Sequence, residues 1–251
     1  MRLTSLILCG IFILFGCGSD ETLAPIEQQM PNYFPDAVGS RWVYRNTDGS
    51  EWTREVIDDT NTHGVGYQVF TYTPPVSETA LNYLKPDAFR VTDSQVFFSI
   101  GEKIDRYVEN ELPVLVQDEF EGLALDITVA PITHPEFVFS QSPLTFGFQW
   151  DAFRTDVNGS IVLQNLALLQ FPFEVHVRVK GEVIAVSSLE TPAGSFEETY
   201  QIEYQTEITQ TFFSEAETTQ QHQTVWFVPH VGIIKIEDEH GVTELIAYTF
   251  P

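Results

Sequence analysis

Two cysteines and six histidines carry the most specific chemistry in this chain. Cys9 and Cys17 both lie in the first twenty residues. The rest of the chain therefore has no disulfide, no cysteine-based zinc site and no thiol nucleophile. The histidines are His63, His134, His176, His222, His230 and His240. No two stand at a spacing that sets metal ligands on a helix or in a tight loop. His230 and His240 flank Glu237-Asp238-Glu239. There a solvated acidic turn is preferred over a metal site. His176, between Glu174 and Arg178, reads as a cross-strand partner on a solvated face. Asp156-Val157-Asn158-Gly159-Ser160 opens like a calcium loop but lacks the later alternating oxygens and the distal bidentate Glu. A hairpin turn accounts for it. Asp118, Glu119 and Glu121 read as a surface loop. There is no G-x-S-x-G, no S-x-x-K with partners, no H-E-x-x-H and no glycine-rich phosphate loop. The expectation is a non-enzymatic chain without a metal or cofactor. Paired carboxylates suited to glycoside hydrolysis form the weakest alternative.

The elements that would position any site begin with the N-terminus. Arg2 precedes an apolar run from Leu6 to Phe15, and polarity resumes at Ser19 and Asp20. A basic start, a short apolar stretch and a small residue before a cut make a secretory signal. The run is too short to cross a bilayer, which takes about 20 residues. Leu14-Phe15-Gly16-Cys17 resembles the bacterial lipobox. That resemblance implies cleavage between Gly16 and Cys17, acylation of the Cys17 thiol, and membrane attachment through two or three acyl chains, which hold where one is marginal. In the same class an Asp after the lipidated cysteine retains the protein at the inner membrane. Gly18 stands there instead, which implies the outer membrane if the organism is diderm. The expected layout is a signal peptide over 1–16, a lipidated and proline-bearing tether over 17–32, and one β domain over 33–251.

The 12 Lys and Arg face 36 Asp and Glu, a formal charge of -24. Such a surface repels nucleic acid, which is excluded as a partner. Its plain consequence is solubility. At 43% hydrophobic and 13% aromatic the chain can build a core, and aromatic enrichment favours strands.

Strand signals recur after Tyr33. Arg41–Arg45 and Glu51–Ile57 flank an Asp-Gly turn, the mark of a hairpin. Gly66–Tyr72 follows. Ser77–Leu84 reads as one short helix, with Ser77 as its cap and Pro86 as its stop. Phe89–Val91, Val96–Ile100 and Ile104–Val108 are short strand candidates, and Glu111–Gln117 and Leu123–Val129 read as extended. Prolines divide Ala130–Leu144 into loops and an edge segment. Leu144–Phe153 reads as a strand closed by a turn at Asp156–Gly159, and Ile161–Leu169 fits helix or strand. In Phe173–Val179, Val175, Val177 and Val179 alternate with Glu174, His176 and Arg178. Lys180-Gly181-Glu182 reads as a turn into Val183–Val186. Phe196–Thr211, Thr224–Val228, Ile233–Glu237 and Thr243–Thr249 complete the set. A dozen short strands with regular turns imply an all-β fold, a single antiparallel curved sheet forming a half-barrel or open barrel.

Three segments carry a wider resemblance. Tyr33-Phe34-Pro35 runs through Val38-Gly39 into Arg41-Trp42-Val43-Tyr44. Thr191-Pro192-Ala193-Gly194-Ser195-Phe196 follows, and then Trp226–Lys235 with Pro229 and Gly232 inside it. Their order resembles envelope lipoproteins built on a domain of unknown function, with sheets that curl like the half-barrels of the carriers LolA and LolB. The resemblance implies a fold and transfers no catalytic role. The leading expectation is a lipid-anchored envelope domain that binds an apolar ligand or an envelope protein. A scaffold binding protein through sheet edges or loops is the alternative.

Overall fold

The computed structural model describes residues 33–62, 64–75, 83–101, 104, 114, 117, 125–130, 136–163, 170–212 and 215–251. Cys17, the expected signal and tether, the expected helix over 77–84 as far as residue 82, His63, His134 and the 118–121 acids lie outside them.

Among the described residues thirteen strands form one sheet, paired antiparallel throughout. They are β1 Arg41–Asn46, β2 Glu51–Thr62, β3 Val65–Thr73, β4 Ala88–Val91, β5 Gln95–Ser99, β6 Leu125–Val129 and β7 Phe137–Gln141. The others are β8 Gln149–Leu163, β9 Gln170–Thr191, β10 Gly194–Phe212, β11 Glu215–Val228, β12 Gly232–Asp238 and β13 Gly241–Thr249. Their order is β6-β8-β9-β10-β11-β12-β13-β1-β2-β3-β4-β5-β7.

That order dictates curvature. β6 and β7 are the two outermost strands, yet only residues 130–136 separate them in the chain. A flat sheet of this width would set its edges roughly 58 Å apart, at about 4.8 Å per strand. The connecting stretch reaches at most about 28 Å. The sheet must therefore curl until its ends approach. Among the described residues no ladder closes the gap; side chains do. Trp150 Nε1–H of β8 donates to the Val138 carbonyl at 2.9 Å, and the Tyr204 hydroxyl of β10 donates to the Phe139 carbonyl. Two main-chain acceptors of edge strand β7 are thus satisfied across the seam without a neighbouring strand.

The inside of the curl is packed with aromatic rings. Phe34 precedes β1 and is wholly buried. Its ring lies 5.5 Å from Trp42 of β1, 6.4 Å from Phe70 of β3, 5.2 Å from Phe89 of β4 and 6.0 Å from Phe98 of β5. It also lies 6.0 Å from Phe139 of β7 and 6.4 Å from Phe227 of β11. The first and third sequence signatures meet here. Trp42 Nε1–H donates to the Val231 carbonyl at 2.6 Å, and the Tyr44 hydroxyl donates to Ile233 at 2.9 Å. The turn and the start of β12 that receive them have positive φ at His230 and Gly232. A Cβ on Gly232 would press on Phe34 and Trp42 at 3.2–3.3 Å, so glycine there serves both conformation and packing.

Two turns expected from glycine are strand interiors. Asp156–Gly159 lies inside β8 and Lys180–Glu182 inside β9. The glycines are there for rings. Gly159 faces Phe173, and Gly181 faces Trp150, across the β8–β9 ladder. A Cβ would come within 2.3 Å of the Phe173 ring or 2.5 Å of the Trp150 ring. Each aromatic lies over the bare backbone opposite, a device that removes both the glycine signal's meaning and the calcium-loop reading. Gly181→Ala is expected to destabilise the protein by about 1–3 kcal/mol through overpacking, read by chemical denaturation. A change within ~0.5 kcal/mol, the range of an inert surface substitution, would show that the indole swings aside freely.

Other boundaries differ in detail. Leu144–Phe148 forms a loop and turn before β8 begins at Gln149. Ile104 is helical, its N–H bonded to the Ile100 carbonyl at 3.2 Å. Both isoleucines are buried, and their spacing of four is that of one helix face. Val114 and Gln117 are helical as well, where a short apolar alternation reads equally as strand.

Candidate functional site

The alternation in β9 does what its residues require. Val175 and Val179 are buried, while Glu174, Arg178 and Lys180 are exposed. His176 Nδ1 lies 2.6 Å from Asp156 and its Nε2 lies 3.5 Å from Glu174. The hydrogen bond from His176 holds the Asp156 carboxyl below its ordinary range. This is a solvated cross-strand pair. His222 stands 3.9 Å from Glu203, and His240 lies 3.6 Å from Glu239 in an exposed turn. His230 packs its ring against Tyr33 at 4.5 Å. No three His, Cys, Asp or Glu converge as a metal set among the described residues.

Arg54 is a residue that sequence reasoning passed over. It is fully buried in β2, within 5.0–6.0 Å of the rings of Tyr44, Trp52, Phe70 and Tyr72. One Nη2–H donates to the Leu84 carbonyl. Nε and Nη1 have no hydrogen-bond partner among the described residues. The ring faces supply the cation's environment. Burial pushes the Tyr44 hydroxyl up to about 12 against the opposing pull of Arg54. Tyr72 and Tyr204 are raised by burial too, so all three remain hydrogen-bond donors at neutral pH. The signal was available: Trp52, Arg54 and Val56 share the inward phase of one strand.

A polar recess of about 320 Å³ lies where the β1–β2 and β12–β13 turns meet Trp52, Lys85 and Gln223. Its polar groups are largely spent on one another. Thr47 Oγ1 bonds both the N–H and the carbonyl of Val242, and Thr243 Oγ1–H donates to Asn46 Oδ1. Gln223 donates to Asp238 at 3.2 Å. Lys85 Nζ covers the outer face of Trp52 at 4.0 Å, and Tyr44 stacks on that ring at 4.2 Å. The recess is a clasp between two turns.

The feature with uncommitted binding capacity is the first half of β11. Strand β11 pairs with β10 from Phe212↔Glu215 to Tyr200↔Phe227. On its other side β12 pairs only from Thr224↔Glu237 onward. Residues Glu215–Gln223 thus present a main-chain edge that no described strand occupies. Glu215–His222 are all exposed, on both faces of the sheet. The stretch has no Pro, Gly or Lys, the residues that usually blunt an edge. β10 carries it outward: its own strand continues to Phe212, and the Thr209 and Thr218 hydroxyls meet across the pair at 3.0 Å. The outer face beside it holds Arg178 and Lys180, and Arg178 lies directly opposite Arg154. The sequence reads a strand only from Thr224, because Glu-Ala-Glu-Thr-Thr-Gln-Gln-His-Gln has neither alternation nor strong strand propensity.

No protein family and no curated protein matches the chain. Two solved structures are similar in fold. One is a candidate exported protein with a YmcC-like fold from Bacteroides fragilis, 15% identical, covering 87% of this chain and 99% of its own, with a TM-score of 0.43. The other is a candidate lipoprotein from Parabacteroides distasonis, 17% identical, covering 86% of this chain and 97% of its own, with a TM-score of 0.40.

Proposed function

We propose that this chain is an envelope lipoprotein, acylated on Cys17, that binds protein by strand addition at the free edge of β11. The observation that carries the reading is the edge Glu215–Gln223, which no described strand occupies and of which Glu215–His222 are exposed on both faces. Main-chain donors and acceptors along such an edge bind an added strand, and flanking side chains select it. The Leu14-Phe15-Gly16-Cys17 sequence supports the anchor, and Gly18 supports the outer membrane in a diderm organism. An apolar cargo is the weaker reading, since the curl is filled by the chain's own rings around Phe34.

The test uses full-length protein in its native envelope. A photo-crosslinking residue in place of Gln221 is expected to capture a discrete protein adduct. Proline is then placed at Thr218 or at Thr219, since of two adjacent residues one turns its N–H outward. That proline is expected to leave folding intact and to lower the adduct at least tenfold, for a contact of two or more main-chain bonds. Adducts that persist unchanged with both prolines, or none at all, would defeat the reading. In the same cells Cys17→Ser is expected to abolish incorporation of labelled palmitate.

A further inference from the structure

We propose that the strand added to β11 is β11 of a second copy, paired antiparallel about a two-fold axis at Thr219. This rests on the edge reading above. The occupant must be polar on both faces, because both faces of Glu215–His222 stand in solvent. An apolar strand there would leave one side exposed to water. The occupant must also present an edge of its own and keep acids away from Glu217.

Ala216–His222 of a second copy meets each requirement. With Thr219 opposite itself, Thr218 faces Gln220, Glu217 faces Gln221 and Ala216 faces His222. The pair ends there, because Gln223 is held by Asp238 of its own chain. The Glu217 carboxylate then has an amide donor across the pair. Its diagonal neighbours are Thr219 and Gln223, so within the paired stretch no two acids meet. In a chain of net charge -24, a self-complementary stretch free of like-charge contacts is the place where two copies can touch. The contact is isologous and closes, leaving no further edge of this strand to propagate. Attachment to one membrane would raise the effective concentration of the pair.

The register is tested by single cysteines in the full-length, membrane-bound protein under mild oxidation. Residues directly opposite in an antiparallel pair have Cα atoms about 4.5–5.5 Å apart, within disulfide reach. Thr219→Cys is expected to give a disulfide-linked dimer. Glu217→Cys alone is expected to give none, since the two copies of residue 217 would sit roughly 14 Å apart. Glu217→Cys coexpressed with Gln221→Cys is expected to restore the dimer. The unsubstituted chain is the control for any thiol left at Cys17. Equal crosslinking at 217 and 219, or none at 219, would overturn the proposal. If 219 gives no dimer while the photo-crosslinker at 221 captures a different protein, the edge reading stands and the second copy is excluded. If neither captures anything, both fall.

Discussion

Phe34→Ala is expected to lower the stability of the domain by about 3–5 kcal/mol, the range for emptying a buried aromatic site. The ring is fully buried and reaches rings on β1, β3, β4, β5, β7 and β11. These strands come from distant parts of the sheet order. No one of them can fill the void by shifting alone, so collapse around the cavity is poor. Natural domains keep only about 5–15 kcal/mol in total, so the variant loses a large fraction. Guanidinium denaturation measures it. Phe34→Leu should recover more than half of the loss. An alanine variant within ~1 kcal/mol of the parent would mean that the rings repack without their hub.

Trp150→Ala comes second, at about 3–5 kcal/mol. Here two roles are removed together. The indole covers Gly181 across the β8–β9 ladder, and its N–H satisfies the Val138 carbonyl across the seam. Trp150→Phe separates them. It keeps a ring over the glycine and leaves the carbonyl without its donor, a loss of about 1–3 kcal/mol. Amide exchange should then rise in β7 while β9 stays protected. If phenylalanine and alanine are equally damaging, the seam bond alone holds the strand ends together. If phenylalanine is harmless, packing alone does so.

The curved antiparallel sheet is legible in the sequence because alternation and turn spacing are local properties. β9 shows it best, with Val175 and Val179 inward and Glu174 and Arg178 outward. The hairpin at Asn46–Ser50 and the bend at Pro229–Gly232 follow for the same reason. What fails is whatever depends on a partner in the neighbouring strand. Gly159 and Gly181 carry a turn signal in isolation, and only Phe173 and Trp150 opposite them give the true reason. The free edge of β11 is hidden likewise. Glu215–Gln223 is held extended by its ladder to β10 and not by its own propensities. Arg54 was within reach, since it stands in the inward phase between Trp52 and Val56.

The position of Phe34 bears on how the molecule carries mechanical load. The residue is the ring hub of the interior, and it lies on the chain between the N-terminus and β1. β1 itself sits well inside the sheet, hydrogen-bonded to β13 on one side and β2 on the other. Tension applied from the N-terminal side therefore reaches the plug before it reaches any ladder. It then meets a strand gripped on both flanks, and cannot peel an outer strand one bond at a time. Of the two outermost strands, β6 lies far from β1 in sheet order, while β7 touches the same hub through Phe139. Such a pull would be resisted by the aromatic interior, and the projecting half of β11 would stay unstrained and in register.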